Sequence, residues 1–187
     1  MARRLLFVSA GHSSVKGKDN GAVAIDGRTE GQLTEEFRNL FVAECKALGI
    51  TCNVDGANSV LSDTINLFKK YTNKDSILIE FHFNAGPASA TGTEVLVPSR
   101  KEYTDIEVEL GRALSQKASE VLGIPNRGFK TEEESARGRL GWMRLTGHNI
   151  LPEICFISNK FNLSMYDIKK KELAKAWALI IKEYINI

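Results

Sequence analysis

A chain of 187 residues, 43% hydrophobic and 26% charged, has the size and composition of one globular domain and excludes a collagen-like repeat, a coiled coil and a disordered tract. Lys and Arg number 25 against 23 Asp and Glu, and a net charge of +2 is too small for the phosphate neutralisation that nonspecific nucleic-acid binding requires, so nucleic acid is not an expected partner. Cys45, Cys52 and Cys155 contain no CxxC pair and argue against a secreted disulfide framework. After Met1-Ala2-Arg3-Arg4 only Leu5 to Val8 is apolar, short of the roughly 7–15 residues of a signal peptide and far short of the ~20 of a membrane span. The expectation is a monomer made in the cytoplasm without an export signal and without direct membrane insertion.

Arg4 to Ala10 reads as a buried first strand that stops at Gly11, and Gly11 to Leu33, rich in Gly, Ser, Asp, Asn and Lys, reads as a long loop. Phe37, Leu40, Phe41 and Leu48 recur at helical spacing, which predicts a first helix from Thr34, its N-cap, to Leu48, closed by Gly49. Ile50 to Val54 is a short strand, Leu61 to Tyr71 a second helix, and Ser76 to Phe83 a strand apolar on both faces, as in the middle of a helix-covered sheet. Thr93 to Val97 is a further strand, Asp105 to Leu122 a third helix closed by Gly123, and Pro125 to Gly128 a turn. Leu140 to Leu145 and Leu151 to Ile157 read as strands split by the breaker Thr146 to Asn149, and a final helix runs from about Ser164 to Tyr184. The alternation predicts an α/β fold, a single domain over 1–187 with a mainly parallel mixed sheet between helices in three layers.

His12 follows the first strand in Ala10-Gly11-His12-Ser13, and His82 ends the apolar strand in Glu80-Phe81-His82-Phe83-Asn84-Ala85. Ligands of open parallel sheets bind at the carboxyl ends of strands, so the two imidazoles can converge there. Two imidazoles and one carboxylate around an open position make a catalytic zinc pattern, and the residues alone do not name the carboxylate. They equally allow two histidines satisfied locally. A phosphate-binding loop at Gly11 to Lys18 fails on spacing, because Lys16 stands where the second glycine belongs and Asp19 where Ser or Thr must follow Lys18.

Taken in order, Ala10-Gly11-His12, Asp19-Asn20-Gly21-Ala22, Leu33-Thr34-Glu35-Glu36-Phe37-Arg38-Asn39-Leu40, His82-Phe83-Asn84-Ala85, Gly92-Thr93-Glu94-Val95, Asn126-Arg127-Gly128-Phe129-Lys130 and Glu153 to Asn159 form a set spanning nearly the whole chain. The set resembles the zinc-dependent N-acetylmuramoyl-L-alanine amidases of the amidase-3 type. The resemblance implies His12, Glu35 and His82 as zinc ligands, Glu35 rather than Glu36 because the family's ligand stands four residues before the Asn that here is Asn39. It also implies Glu153 as the catalytic carboxylate, peptidoglycan as the partner, and cleavage of the amide between N-acetylmuramic acid and the L-alanine of the stem peptide. Asn84 and Arg127 are the candidate substrate contacts. An endolysin-like catalytic domain, released to the cell wall after synthesis, fits the absence of an export signal and of a wall-binding repeat.

Glu153 sits among the residues of a buried strand, where an ionised carboxylate needs a partner or a raised pKa; pairing with Arg144 is the structural alternative to a catalytic role. Two features depart from the family pattern. Pro152 adjoins the acid, and Cys155 stands where a glycine is common; in an extended strand Cys155 shares a face with Glu153, as a small buried residue or as a thiol near zinc. His148 reads as a turn residue. Competing functions are a zinc peptidase that cuts stem-peptide bonds and an inactive peptidoglycan-binding regulator.

Overall fold

A computed structural model describes residues 4–56 and 59–185; Met1 to Arg3, on which part of the export-signal reading falls, lie outside the described residues. Six strands form one sheet: β1 (Leu6–Ala10), β2 (Cys52–Val54), β3 (Ile77–Asn84), β4 (Thr93–Val97), β5 (Asn126–Thr131) and β6 (His148–Phe156), in the order β2-β1-β3-β6-β4-β5. All neighbours run parallel except β4 and β6, which are antiparallel. Four α helices flank the sheet: α1 (Glu30–Ala47), α2 (Leu61–Phe68), α3 (Asp105–Leu122) and α4 (Lys160–Ile185). The expected single α/β domain in three layers is what the chain forms.

The two faces of β3 explain the layering. Ile77, Ile79, Phe81 and Phe83 point to the larger core, shared with Phe37 and Phe41 of α1, Leu110 and Leu114 of α3 and Trp177 of α4. There Phe81 stacks on Trp177 with ring centroids 5.9 Å apart, and each such fully buried aromatic contributes about 2–3 kcal/mol of apolar burial. Leu78, one position out of phase, joins Phe7, Leu96 and Leu151 in a smaller core under Phe68 of α2 and Trp142. Period two therefore puts Glu80, His82 and Asn84 on the smaller-core side, beyond the apolar floor.

Several boundaries differ from expectation, each for a local reason. α1 begins at Glu30, because Thr29 forms a capping box with Gln32; Thr34 is not the cap but a buried residue whose hydroxyl donates to the Gly11 carbonyl at 2.6 Å. The segment after Pro125 is not only a turn, since Asn126–Thr131 pairs as β5 along β4. Leu140 to Leu145 is not a strand: Gly141–Arg144 is a short 3-10 turn that lays Trp142 and Met143 on the smaller core. β6 starts at His148, inside the expected breaker, and the bend before it spans Leu145 to Gly147, with Gly147 at φ 134. α4 begins at Lys160, a turn before Ser164.

Candidate active site

His12 lies just past β1 with φ 64, the only non-glycine residue at positive φ among those described, a backbone state costing on the order of 1 kcal/mol that clusters at functional positions. Its Nε2 faces Glu30 Oε2 at 3.3 Å. Across the same carboxylate, His82 Nδ1 is 2.9 Å from Glu30 Oε1. Glu30 is the first residue of α1, 5% exposed, and two backbone amides fix it: Phe83 N donates to Oε1 and Ala22 N to Oε2, both at 3.1 Å. One donor atom from each of His12, Glu30 and His82 lies within 4.8 Å of the others, a set that can hold a divalent cation. Two glycines make the approach possible. A Cβ on Gly11 would stand 2.2 Å from His82 Nε2, and one on Gly21 would stand 2.6 Å from both Glu30 Oε2 and the His12 ring.

The acid between the histidines is thus Glu30, and the structure does not bring Glu35 to them. Glu35 lies more than a helical turn further along α1, where its Oε1 is 3.5 Å from Arg38, and Glu36 pairs with Lys170 at 2.6 Å. The 100° advance per residue carries Glu35 away from the face that Glu30 presents at the helix start. The signal for Glu30 was in the sequence: Thr29-x-x-Gln32 is a capping-box pattern, and a helix begun there carries Glu30 into the strand-end loops.

Each imidazole is backed by a second carboxylate. His12 Nδ1 is 3.0 Å from Asp19, and His82 Nε2 is 3.1 Å from Glu80, the arrangement that orients metal-binding histidines. Burial works against a charged His82, but Glu30 and Glu80 outweigh it and hold the imidazole well above its ordinary pKa in the metal-free protein. Burial would raise Glu30, yet hydrogen bonding to His82 and the charges of both histidines bring it down to about 2.

Glu153 stands on β6 in register with His82 of β3 on one side and Glu94 of β4 on the other. Its Oε2 is buried without a hydrogen-bond partner, and burial, aided by the charges of Glu30, Glu94 and Glu80, pushes its carboxyl up to about 7 against the opposing charge of His82. The alternative pairing with Arg144 does not form, since Arg144 binds Glu102 at 2.8 Å and also Glu132. Beyond Glu153 the β3–β6 register slips, so that Asn84 pairs with Phe156. The bulge turns Cys155 into the larger core, away from the Glu153 face it was expected to share, and brings Phe156 to the cleft instead. His148 lies at the far end of β6, its Nδ1 3.0 Å from Thr104 Oγ1, not in a turn.

These groups open into one cleft of about 640 Å³. Three segments at its rim contribute His12 and Asp19, Ala85 to Pro87, and Glu134 to Arg137. Asn84 and Arg127 both line it, tied to Glu94: Asn84 Nδ2 donates to Oε1 at 3.0 Å and Arg127 Nε to Oε2 at 2.5 Å. Lys130 shares Glu94 at 2.7 Å, and the Arg127 guanidinium lies 5.1 Å over the Phe156 ring. Glu80 and Glu94 had no assigned role in the sequence reading, because what gathers them is strand register across β3, β6 and β4, whereas Glu30 is placed by the start of α1.

Among the described residues no helix is long and apolar enough to cross a membrane. A comparison with curated proteins gives no match. Among solved structures, the chain is similar to a protein of Neisseria meningitidis described as an N-acetylmuramoyl-L-alanine amidase, at 25% identity over 96% of this chain and 94% of that one, with a TM-score of 0.77. It is also similar to the amidase AmiC2 of Nostoc punctiforme, at 19% identity, full coverage of both chains and a TM-score of 0.75. The catalytic domain of the CD27L endolysin targeting Clostridia difficile matches at 20% identity over 96% of this chain and 97% of that one, with a TM-score of 0.72. The latter two likenesses speak to the fold. The sequence profile named Amidase_3, N-acetylmuramoyl-L-alanine amidase, matches residues 6–183, nearly the whole length, and the chain belongs to that family of peptidoglycan amidases.

Proposed function

We propose that the protein is a zinc-dependent N-acetylmuramoyl-L-alanine amidase that hydrolyses the amide between the lactyl group of N-acetylmuramic acid and the first L-alanine of the stem peptide. The observation that carries this reading is the juxtaposition of a two-histidine, one-carboxylate donor set with the partnerless carboxylate of Glu153 on the adjacent strand. The donor set fits zinc by its chemistry, three N and O ligands with room for a fourth in an open cleft, and by the carboxylates behind each imidazole. His12, Glu30 and His82 would hold the ion, which when bound supplies Lewis acidity at this point of the cleft.

The remaining steps fall to the chain's own residues. Glu153, poised near neutrality by burial, takes a proton from the attacking water at its free Oε2 and returns it to the departing alanine nitrogen. No covalent enzyme intermediate is needed. Asn84 and Arg127, held in place by Glu94, offer an amide and a guanidinium to the polar groups of the glycopeptide, and Phe156 offers an apolar surface beneath Arg127. Synthesis in the cytoplasm and action on the wall as an endolysin belong to the same proposal; their support is the resemblance in the sequence, alongside the fold shared with the CD27L catalytic domain.

Digestion of purified sacculi followed by mass spectrometry tests the reaction. Free stem peptides beginning at L-alanine are the expected product, whereas cut stems still attached to sugar would make the enzyme a peptidase, and no released material would leave a binder. Metal analysis of the same preparation should give about one zinc per chain.

A further inference from the structure

One buried acid of the cleft floor has no part in the steps above. Glu80 lies on β3 two residues before His82 and on the same face, 3% exposed, where an ionisable group is costly to bury unless it is hydrogen-bonded. The one hydrogen bond of its carboxylate among the described residues is to His82 Nε2 at 3.1 Å. β3 is an interior strand paired on both sides, by β1 and β6, so the carboxylate is carried on a rigid element. This differs from the support of His12, where Asp19 sits on a loop with its side chain 66% exposed. The His82 ring is confined from three directions: Glu80 at Nε2, Glu30 at Nδ1, and the bare Cα of Gly11, where a Cβ would collide with the ring.

From this clamp we infer that Glu80 is a positioning residue, which fixes the ring of His82 with Nδ1 turned to Glu30 and so shapes the metal centre before any ion arrives. The inference rests on the zinc reading above for its purpose, and on the Glu80–His82 contact for its substance. Glu80→Gln keeps an oxygen that can accept from Nε2, while Glu80→Met keeps the volume and removes the acceptor. In metal-free protein, the ring nitrogen signals of His82 should show a hydrogen-bonded Nε2 proton in the wild type and in E80Q, and should lose it in E80M. In competition with a chelator, zinc affinity should fall a few-fold in E80Q and about 10–100-fold in E80M, with KM for sacculus fragments unchanged at saturating zinc.

E80M that melts cooperatively, binds zinc as the wild type does and keeps its His82 signals would overturn the assignment. A loss in E80Q as large as in E80M would overturn it in favour of bulk negative charge. Should E80M not fold, E80Q decides alone, since ring signals resembling a solvent-exposed histidine would sink the idea. A wild-type chain that binds no zinc removes the proposed function, and the ring signals of the metal-free protein still judge whether Glu80 holds His82.

Discussion

Glu153 and Glu30 show how environment divides one functional group into two roles. Both are cleft carboxylates, but Glu30 is held near pKa 2 by histidines and amides while Glu153 is lifted to about 7 by burial and neighbouring acids. Glu153→Gln is expected to lower hydrolysis by about 10²–10⁴-fold with zinc stoichiometry retained, which turnover and metal analysis check together. Glu30→Gln should lose zinc, and Glu35→Ala should keep it, its carboxylate being engaged with Arg38. Gly11→Ala forces a methyl against the His82 ring, an overpacking on the order of 1–3 kcal/mol that displacement of the imidazole would relieve; weaker zinc binding with a folded protein is the expected result. At this scale the convergence of His12 and His82 was legible from strand ends, and the place of Glu153 beside them from resemblance. Glu30 was not picked as the acid between the histidines because the register was anchored on Asn39, whereas the residue four after Glu30 is Thr34.

Among elements, α1 is the one whose start matters to the site. Its N-cap Thr29 and the carboxylate of Glu30 are consecutive, so the cap that begins the helix also sets the height of the acid between the two histidines. Thr29→Ala should cost about 0.5–2 kcal/mol of stability, seen as a lower melting temperature, and should weaken zinc binding along with it. Unchanged zinc affinity would mean that Phe83 N and Ala22 N suffice to seat Glu30. Strands β3 and β4 and helix α3 were readable because pattern and punctuation agreed, down to Gly123 in the left-handed conformation at the end of α3. β5 and the Gly141–Arg144 turn were not: Asn-Arg-Gly carries turn residues although β4 recruits it as an edge strand, and Trp142 with Met143 has the apolarity of a strand although packing alone keeps it buried.

For the whole molecule, the cleft acids and His82 dictate a stability profile in the absence of metal. Glu30, depressed from 4.5 to about 2, contributes stability above pH 4.5 that is lost as pH falls towards 2. Glu153, raised from 4.5 to about 7, does the opposite: the folded state keeps its proton where the unfolded chain has lost it, so stability declines as pH rises across that interval. His82, raised above 6.5, adds stability that is full below 6.5 and lost as pH climbs through its folded value. Chelated protein should therefore be most stable near pH 4.5 and soften from there towards pH 9, as melting temperatures across pH 3–9 would record. In the same medium Glu153→Gln should gain about 3 kcal/mol at pH 8 and nothing near pH 4, and a flat difference between those values would contradict the placement of its titration.

β6, the last strand in chain order among the described residues, lies between β3 and β4 and alone joins the two halves of the sheet. His12, Glu30, Glu80 and His82 are all encoded before residue 85, whereas Glu153, in register with His82, arrives only with β6. Without β6 paired, β3 and β4 would each present a bare inner edge, and the donor set would lack the carboxylate of Glu153 beside it. A strand that must pair on both sides over long sequence separations closes its loops before its contacts reward them, so the insertion of β6 is expected to be a slow step of folding.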